Sequence, residues 1–466
     1  MAGEDELGTG RTGGRDATTG VIPGRVALSV GCPDLEPPKG WKWTMLSSVA
    51  QLESGHTPSR KHPEYWDEGI PWIGIKDATE NHGRTLSDTY QHVSALGLEN
   101  SSARLLPANT VCLSRTASVG FVVVMGRPMA TSQDFVNWVC GPNIEAHYLK
   151  YVLLAENEAL WRFASGTTHQ TIYYPEAKAF HVCLPPLAEQ KAIAAVLGAL
   201  DDKIELNRRM NATLEAMARA LFQSWFVDFD PVRAKLDGRP PAALDPATAA
   251  LFPASFQDST LGPIPHGWTA DTIKNRASNI QYGFTQSATK EPVGPHFLRI
   301  TDISAGRIDW ASVPFCQATG EEREKYRIVD GDIFIARTGA STGDNIYAVE
   351  PPPAVFASYL IRIQFSSRGL GRLVGEFTRT PDYASYVAGT IGGSAQPNAS
   401  AQTLAGAAFV FPIEEIADAF YRTVRPFDLM RAANDRESRT LATLRDTLLP
   451  KLLSGELSVA QAAPAL

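Results

Sequence analysis

Residues Leu184 to Phe226 read LPPLAEQKAIAAVLGALDDKIELNRRMNATLEAMARALFQSWF. The stretch opens on Pro185 and Pro186, which cannot continue a strand ladder and can precede a helix. Beyond them it holds no proline, and Gly198 is its one glycine. Ile193, Leu197, Leu200, Ile204, Asn207, Asn211, Leu214, Ala218, Leu221 and Trp225 follow in alternating steps of four and three. That spacing is the heptad seam of a coiled coil. About 40 residues at about 1.5 Å each make a helix on the order of 60 Å long. Such a helix is far longer than an ordinary globular one. Its narrow apolar stripe buries little alone, so the helix requires a partner.

The chain supplies that partner by repeating itself. Pro38, Gly40 and Trp41 match Pro265, Gly267 and Trp268 at an offset of 227. Ile75-Lys76-Asp77 matches Ile300-Thr301-Asp302 at 225, and Arg115-Thr116 matches Arg337-Thr338 at 222. Pro185 matches Pro412, again at 227. Four landmarks in one order mark two copies of a domain, since solenoid repeats are far shorter. The second long helix is expected over Ile413 to Leu453. Its transposed seam is Phe420, Val424, Phe427, Arg431, Asn434, Ser438, Leu441, Arg445, Leu448 and Leu452. The match is poor in the middle, where Met430 and Leu444 suggest a local shift of the stripe. Asn207 falls on Asn434, and a polar seam residue can set register; a solvent-facing position is the alternative reading.

The expected organisation is a disordered tail (1–37), a first globular unit (38–183) and a first long helix (184–227). A linker (228–264), a second unit (265–410), a second long helix (411–454) and a short tail (455–466) follow. Each unit reads as mixed α/β. Strands are expected at WIGI (72–75), TVCLS (110–114), GFVVVM (120–125), FVNWVC (135–140), DIFIA (332–336) and YLIRIQF (359–365). The linker is rich in Pro, Ala and Asp, with one short helix near Pro246 to Leu251.

At 466 residues the chain has room for about three domains. It has no run of about 18 apolar residues, so no transmembrane helix is expected. Five scattered cysteines form no CxxC pair, which argues for a reducing cytoplasm and against a zinc site. The net charge of −7 gives no support to blanket nucleic-acid binding; if the chain binds DNA, its basic residues must be focused on particular loops. No phosphate loop, HExxH or supported SxxK motif occurs, no GxGxxG follows a strand, and no GxSxG forms an elbow. Asp77, Asp302 and Asp332 are isolated in sequence, and only a spatial cluster of them could hold Mg²⁺. Glu350-Pro351-Pro352-Pro353 does not fit an amino-methyltransferase motif.

What remains is a set of loops mixing basic, amide and hydroxyl groups. They offer Arg60 and Lys61; Lys76; Arg115, Thr116 and Ser118; and Thr168, His169 and Gln170. The second copy offers Gln281 and Thr285; Thr301; Arg337 and Thr338; and Gln396 and Asn398. Arg, Lys, Gln and Asn read base edges, while Ser and Thr hold phosphates. Any one such loop reads as ordinary polar surface. Their recurrence at matching places in both copies makes the group a candidate DNA interface.

These strings resemble the specificity subunits of type I restriction–modification systems. The resemblance rests on LPPLAEQKAIAAVLGALDDKIELNRR, ALFQSWFVDFDPVRAK, LFPASFQDSTLGPIPHGW, SRTASVG, ARTGASTG, GGSAQPNAS and LLPKLLSGEL. It covers Pro37 to about Leu457. The second helix opens with FPIEEIADAF and lacks the LPPLxEQ form of the first. The resemblance implies two tandem mixed α/β target recognition domains, each followed by a long helix. The helices would pair as an antiparallel coiled coil with a pseudo-twofold internal repeat. It implies a cytoplasmic, non-catalytic subunit that reads a bipartite, asymmetric sequence in double-stranded DNA. Two modification subunits and further restriction subunits would bind, with Glu189, Gln190 and Lys191 as a docking face. S-adenosylmethionine, ATP and Mg²⁺ would act on those partners, with no cofactor on this chain. A stand-alone DNA-binding adaptor, an enzyme with a site assembled only in space, and a structural coiled-coil protein stay open on sequence alone.

Overall fold

The computed structural model describes residues 20–116, 118–166, 170–303, 306–391 and 398–462. They divide into two compact units. One runs to Glu205 and resumes at Ser438; the other is Leu206–Glu437. The long helices, Leu187–Phe222 and Glu414–Leu453, each contribute to both units.

The first unit is built on a five-stranded sheet in the order Ala50–Ser54, Phe135–Cys140, Thr110–Ser114, Val122–Met125, Thr85–Leu86. Thr110–Ser114 and Val122–Met125 are buried along their whole length, beneath the helix Ala146–Ala155. That double burial is why these strands read as apolar runs and not as alternating patterns. The second unit repeats the plan in four strands: Asn279–Tyr282, Leu360–Gln364, Ile333–Ala336, Asn345–Tyr347. Register repeats as well. Ser54 faces Val136 in the first unit, and Tyr282 faces Ile361 in the second. A short parallel pair recurs: Ile73 opposite Thr131, and Leu298 opposite Phe356. Gly55 and Gly283 occupy equivalent places beside it, where any Cβ would collide with the carbonyl oxygens of Ser132 and of Phe356 and Ala357. In each unit an antiparallel pair leads into the long helix, Lys42–Met45 with Phe180–Leu184 and Thr269–Thr272 with Ala408–Phe411.

Expectation and structure part in three places. Residues 72–75 are not a strand of their own: Trp66–Ile73 ends the strand and Ile75–Glu80 is already helical. The reason is Asp77, whose carboxylate accepts from Gly74 N at 2.9 Å and caps the turn. The tail expected over 1–37 is structured at its far end. Ile22–Pro23 pairs with Leu28–Val30, which pairs with Phe180–Val182. Buried Glu156 holds this segment by accepting from Val26 N at 2.6 Å and Ala27 N at 2.8 Å. The expected linker is packed structure. The helix Asp230–Leu236 follows Phe229, which is left-handed at φ 54°, and Pro246–Leu251 is a helix as expected. Phe226, Phe229, Phe252 and Trp268 form an aromatic cluster with Trp225 and Phe420, so these residues belong to the core of the second unit.

The predicted seam is the buried face of the first long helix. In the first unit Ile193, Leu197 and Leu200 share a core with Leu448 and Leu452. In the second, Ala218 and Trp225 share one with Phe420 and Val424. Between these apolar ends the seam of the second unit is polar. Asn207 Nδ2 donates to Glu437 Oε2 at 2.8 Å and to the Asn434 carbonyl at 3.4 Å. Asn434 Nδ2 donates to Asn211 Oδ1 at 2.9 Å, and Asn211 Nδ2 to Asp435 Oδ1 at 2.8 Å. Numbers rise on one helix as they fall on the other, so the pair is antiparallel. The mid-seam mismatch is this polar network. The stripe does not shift towards Met430, which is 47% exposed, whereas Leu444 does pack against the core of the first unit.

A polar seam specifies register at a cost in stability. Replacing Asn207 and Asn434 together by leucine is predicted to raise the unfolding temperature while adding non-native association states in sedimentation velocity. A single native species would show that the asparagines do not set the pairing. Glu156→Ala leaves buried donors unsatisfied, a cost of roughly 1–3 kcal/mol. Amide protection over 25–30 should then collapse while that of Thr110–Ser114 persists; unchanged exchange would show that strand pairing alone holds the segment.

Candidate nucleic-acid interface

The two Arg-Thr steps sit in one frame in both units. In the first, the strand Thr110–Ser114 ends and the chain turns outward at Arg115. Arg115 N donates to the Asp134 carbonyl at 2.7 Å, and Ile172 N donates to the Arg115 carbonyl at 2.8 Å. Thr116 and Thr171 share a hydroxyl hydrogen bond of 2.7 Å. In the second unit Arg337 N donates to the Tyr359 carbonyl at 3.0 Å, and Ala399 N donates to the Arg337 carbonyl at 2.9 Å. Thr338 bridges Asn398. Each Arg is thereby fixed at its backbone between a strand end and the segment preceding its long helix, with its side chain at the rim. Fixed backbone and partly exposed side chain suit a group that must find a base edge without reorganising.

The guanidinium groups are oriented differently. Arg115 Nε donates to the Gln133 carbonyl at 3.2 Å. Burial lowers its pKa, and the Asp134 carboxylate opposes that shift. Arg337 Nη2 donates to Asn398 Oδ1 at 2.9 Å, and its guanidinium lies 5.0 Å from the ring centre of exposed Tyr282.

Other predicted residues join the rim of the first unit. Arg60 lies 3.5 Å over the Trp66 ring and donates to Gln91 Oε1 at 2.8 Å, with exposed Lys61 beside it. Lys76 sits 4.0 Å over the ring of exposed Tyr90. The loops converge because Thr57 bonds Gln133 and Trp72 Nε1 donates to the His56 carbonyl at 3.1 Å. Ser118 N donates to the Thr116 carbonyl at 2.6 Å, which shapes the turn. Gln170 Nε2 donates to the Gly166 carbonyl at 3.0 Å. In the second unit Thr285 is exposed and donates to Ser358 Oγ at 3.1 Å, and Thr301 lies exposed on the turn Ile300–Asp302. Thr168, His169 and Gln396 lie outside the described residues.

Two expected site residues are hydrogen-bonded within their own units. Gln281 is held inside its unit, its amide oxygen accepting from buried Arg362 and its Nε2 facing the Lys325 carbonyl at 3.4 Å. It belongs to the support of the sheet. Gln190 is buried, accepting from Glu145 N at 2.9 Å and donating to the Pro185 carbonyl at 2.9 Å. It locks the start of the long helix, leaving Glu189 and Lys191 on the outer face. Asp77, Asp302 and Asp332 accept from the backbone nitrogens of Gly74, Arg299 and Val329 at 2.8–2.9 Å. Among the described residues no group of carboxylates, histidines and cysteines could hold a metal. Sequence reading passed over Gln91, Gln133, Tyr90, Tyr282 and Tyr359. The tyrosines carry a usable signal, since each is a large aromatic left exposed beside a strand end.

Fold and rim together define a duplicated polar reader carried on paired helices. Residues 38–216 match the type I restriction modification DNA specificity domain. Over 428 residues the chain is 24% identical to the type I restriction enzyme MjaIX specificity subunit of Methanocaldococcus jannaschii, covering 91% of this chain and 94% of the relative. It is 24% identical over 388 residues to the HindI specificity subunit of Haemophilus influenzae, covering 71% and 84%. The fold is that of the specificity subunit from M. genitalium, with a TM-score of 0.57 at 14% identity, over 88% of this chain and 96% of that one. Residues 38–216 are thus similar to a type I restriction modification DNA specificity domain, and the chain as a whole is similar to specificity subunits of type I restriction enzymes.

If the two arginines read bases, each acts on its own half of the target. Arg115→Ala and Arg337→Ala should each cost about 1–3 kcal/mol on duplexes carrying the cognate half-site. Competition binding with duplexes altered in one half at a time measures this. Equal loss on every sequence would make the residue a phosphate anchor, and no loss would make it a support of the loop.

Proposed function

We propose that each unit reads one half of a bipartite, asymmetric DNA sequence and that the paired long helices set the gap between the halves. The observation carrying this reading is the same Arg-Thr frame recurring in two units whose loops differ in chemistry, each built onto both long helices. Recognition is this chain's task, and catalysis belongs to others. Two modification subunits dock on the helices, with Glu189 and Lys191 on the docking face, and restriction subunits join them. S-adenosylmethionine, ATP and Mg²⁺ act on those partners, in the cytoplasm. Two readers on one spacer would meet the major groove roughly one helical turn apart, about 34 Å. The two readers are centred on 38–183 and 265–410, the first extended by the strands within 22–30 and the second by the packed segment 228–264.

Co-expression with the modification subunit and mapping of methylated positions in genomic DNA tests the reading: it expects one bipartite motif. Random or absent methylation would sink it. Inserting one helical turn into both long helices should lengthen the gap and leave both half-site sequences alone, since a turn adds about 5.4 Å of spacer. Altered half-site sequences with an unchanged gap would refute the spacer role.

A further inference from the structure

Each unit contains a charged junction where a domain helix meets the long helix that follows it. In the first unit the helix Ala146–Ala155 presents Lys150 and Tyr151 to Asp201 of the first long helix. Lys150 Nζ lies 3.1 Å from Asp201 Oδ2, and the Tyr151 hydroxyl donates to the same oxygen at 2.6 Å. Arg445 of the second long helix donates to Asp201 Oδ1 at 2.8 Å. Burial pushes the Asp201 carboxyl up, and Lys150, Tyr151 and Arg445 more than reverse it, so it stays ionised.

The second unit repeats this arrangement with different residues. The helix Arg368–Phe377 presents Arg372, which grips Asp428 of the second long helix with two bonds, Nε to Oδ2 at 2.7 Å and Nη2 to Oδ1 at 3.1 Å. Glu376 holds Arg372 Nη1 at 2.7 Å, and all three side chains are 3–4% exposed. Glu215 of the first long helix completes the junction through Arg431 and Arg379. Asp428 lies 227 residues after Asp201, and Arg372 lies 222 after Lys150, the offsets of the repeat itself. The two units share the placement of the carboxylate and differ in the cation that meets it.

Buried ion pairs are weak stabilisers, because desolvation offsets much of their attraction, while their bonds are directional. An apolar contact would hold the domain as firmly but would let it pivot. We infer that Asp201 and Asp428 are positioning residues: each fixes the angle of its reading domain on the helix that follows it, and together they set the tolerated gap between the DNA half-sites. This rests on the two-reader function proposed above.

The test uses the complex with its modification subunits and duplexes bearing both half-sites at the native gap and at one base pair shorter or longer. A variant with Arg372→Met, Glu376→Met and Asp428→Leu replaces the buried charges by apolar groups of similar size, a change that is often neutral for stability. Its preference for the native gap should fall by at least about tenfold, with the half-site sequences and unfolding temperature unchanged. Arg372→Lys, which keeps the charge but loses the paired bonds, should fall between this variant and the wild type. Should the triple variant unfold, Arg372→Lys and the first-unit pair Lys150→Met with Asp201→Asn carry the test. Undiminished gap preference in folded variants overturns the inference. A wild-type complex with no gap preference at all would instead overturn the two-reader function.

Discussion

The structure turns on one contact, the meeting of Asn207 with Asn434. These residues are equivalent in the internal repeat, so one copy of the long helix touches the other at its own counterpart. An antiparallel pair of like helices can do this at a single level only. Any slip along the seam would strip Asn207 and Asn211 of partners while buried or half-buried, at roughly 1–3 kcal/mol for each unsatisfied group. The apolar ends supply attraction without direction, through Ile193 and Leu197 in one unit and Trp225 and Phe420 in the other. The polar middle supplies the register.

Charge is distributed to match. A net charge of −7 looks unsuited to DNA, but the sum hides where the cations are. Arg372, Arg362, Arg379, Arg431 and Lys150 are committed to internal carboxylates, with little exposure. Arg60, Lys61 and Lys76 lie at the exposed rim of the first unit.

Periodicity made the long helix, its seam and the central strands legible, because those features are local and repeat. The charged junctions were not legible. Nothing near Asp428 in sequence announces Arg372, 56 residues away, and the register of the repeat becomes informative only once the domain helices are placed. Glu156 was equally silent: an ordinary glutamate in a helical turn, it anchors backbone about 130 residues upstream. The internal bonds of Gln190 and Gln281 were hidden for a related reason. An amide in a polar string does not announce its partners: Gln190 is buried with both ends bonded, and half-buried Gln281 accepts from Arg362.

The loops themselves carry the remaining asymmetry. Both Arg-Thr steps are pinned by the same two backbone bonds, so the scaffold treats them alike. Thr116 bridges Thr171 as Thr338 bridges Asn398, but the side chains differ: Thr171 shares a hydroxyl hydrogen bond with Thr116, whereas the Asn398 amide oxygen orients Arg337. A guanidinium aimed by a side-chain amide can be re-aimed by one substitution. A guanidinium aimed by the Gln133 carbonyl changes only if the chain moves. Under the proposed two-reader function, the two loops can therefore diverge in sequence preference without disturbing the helices that hold them.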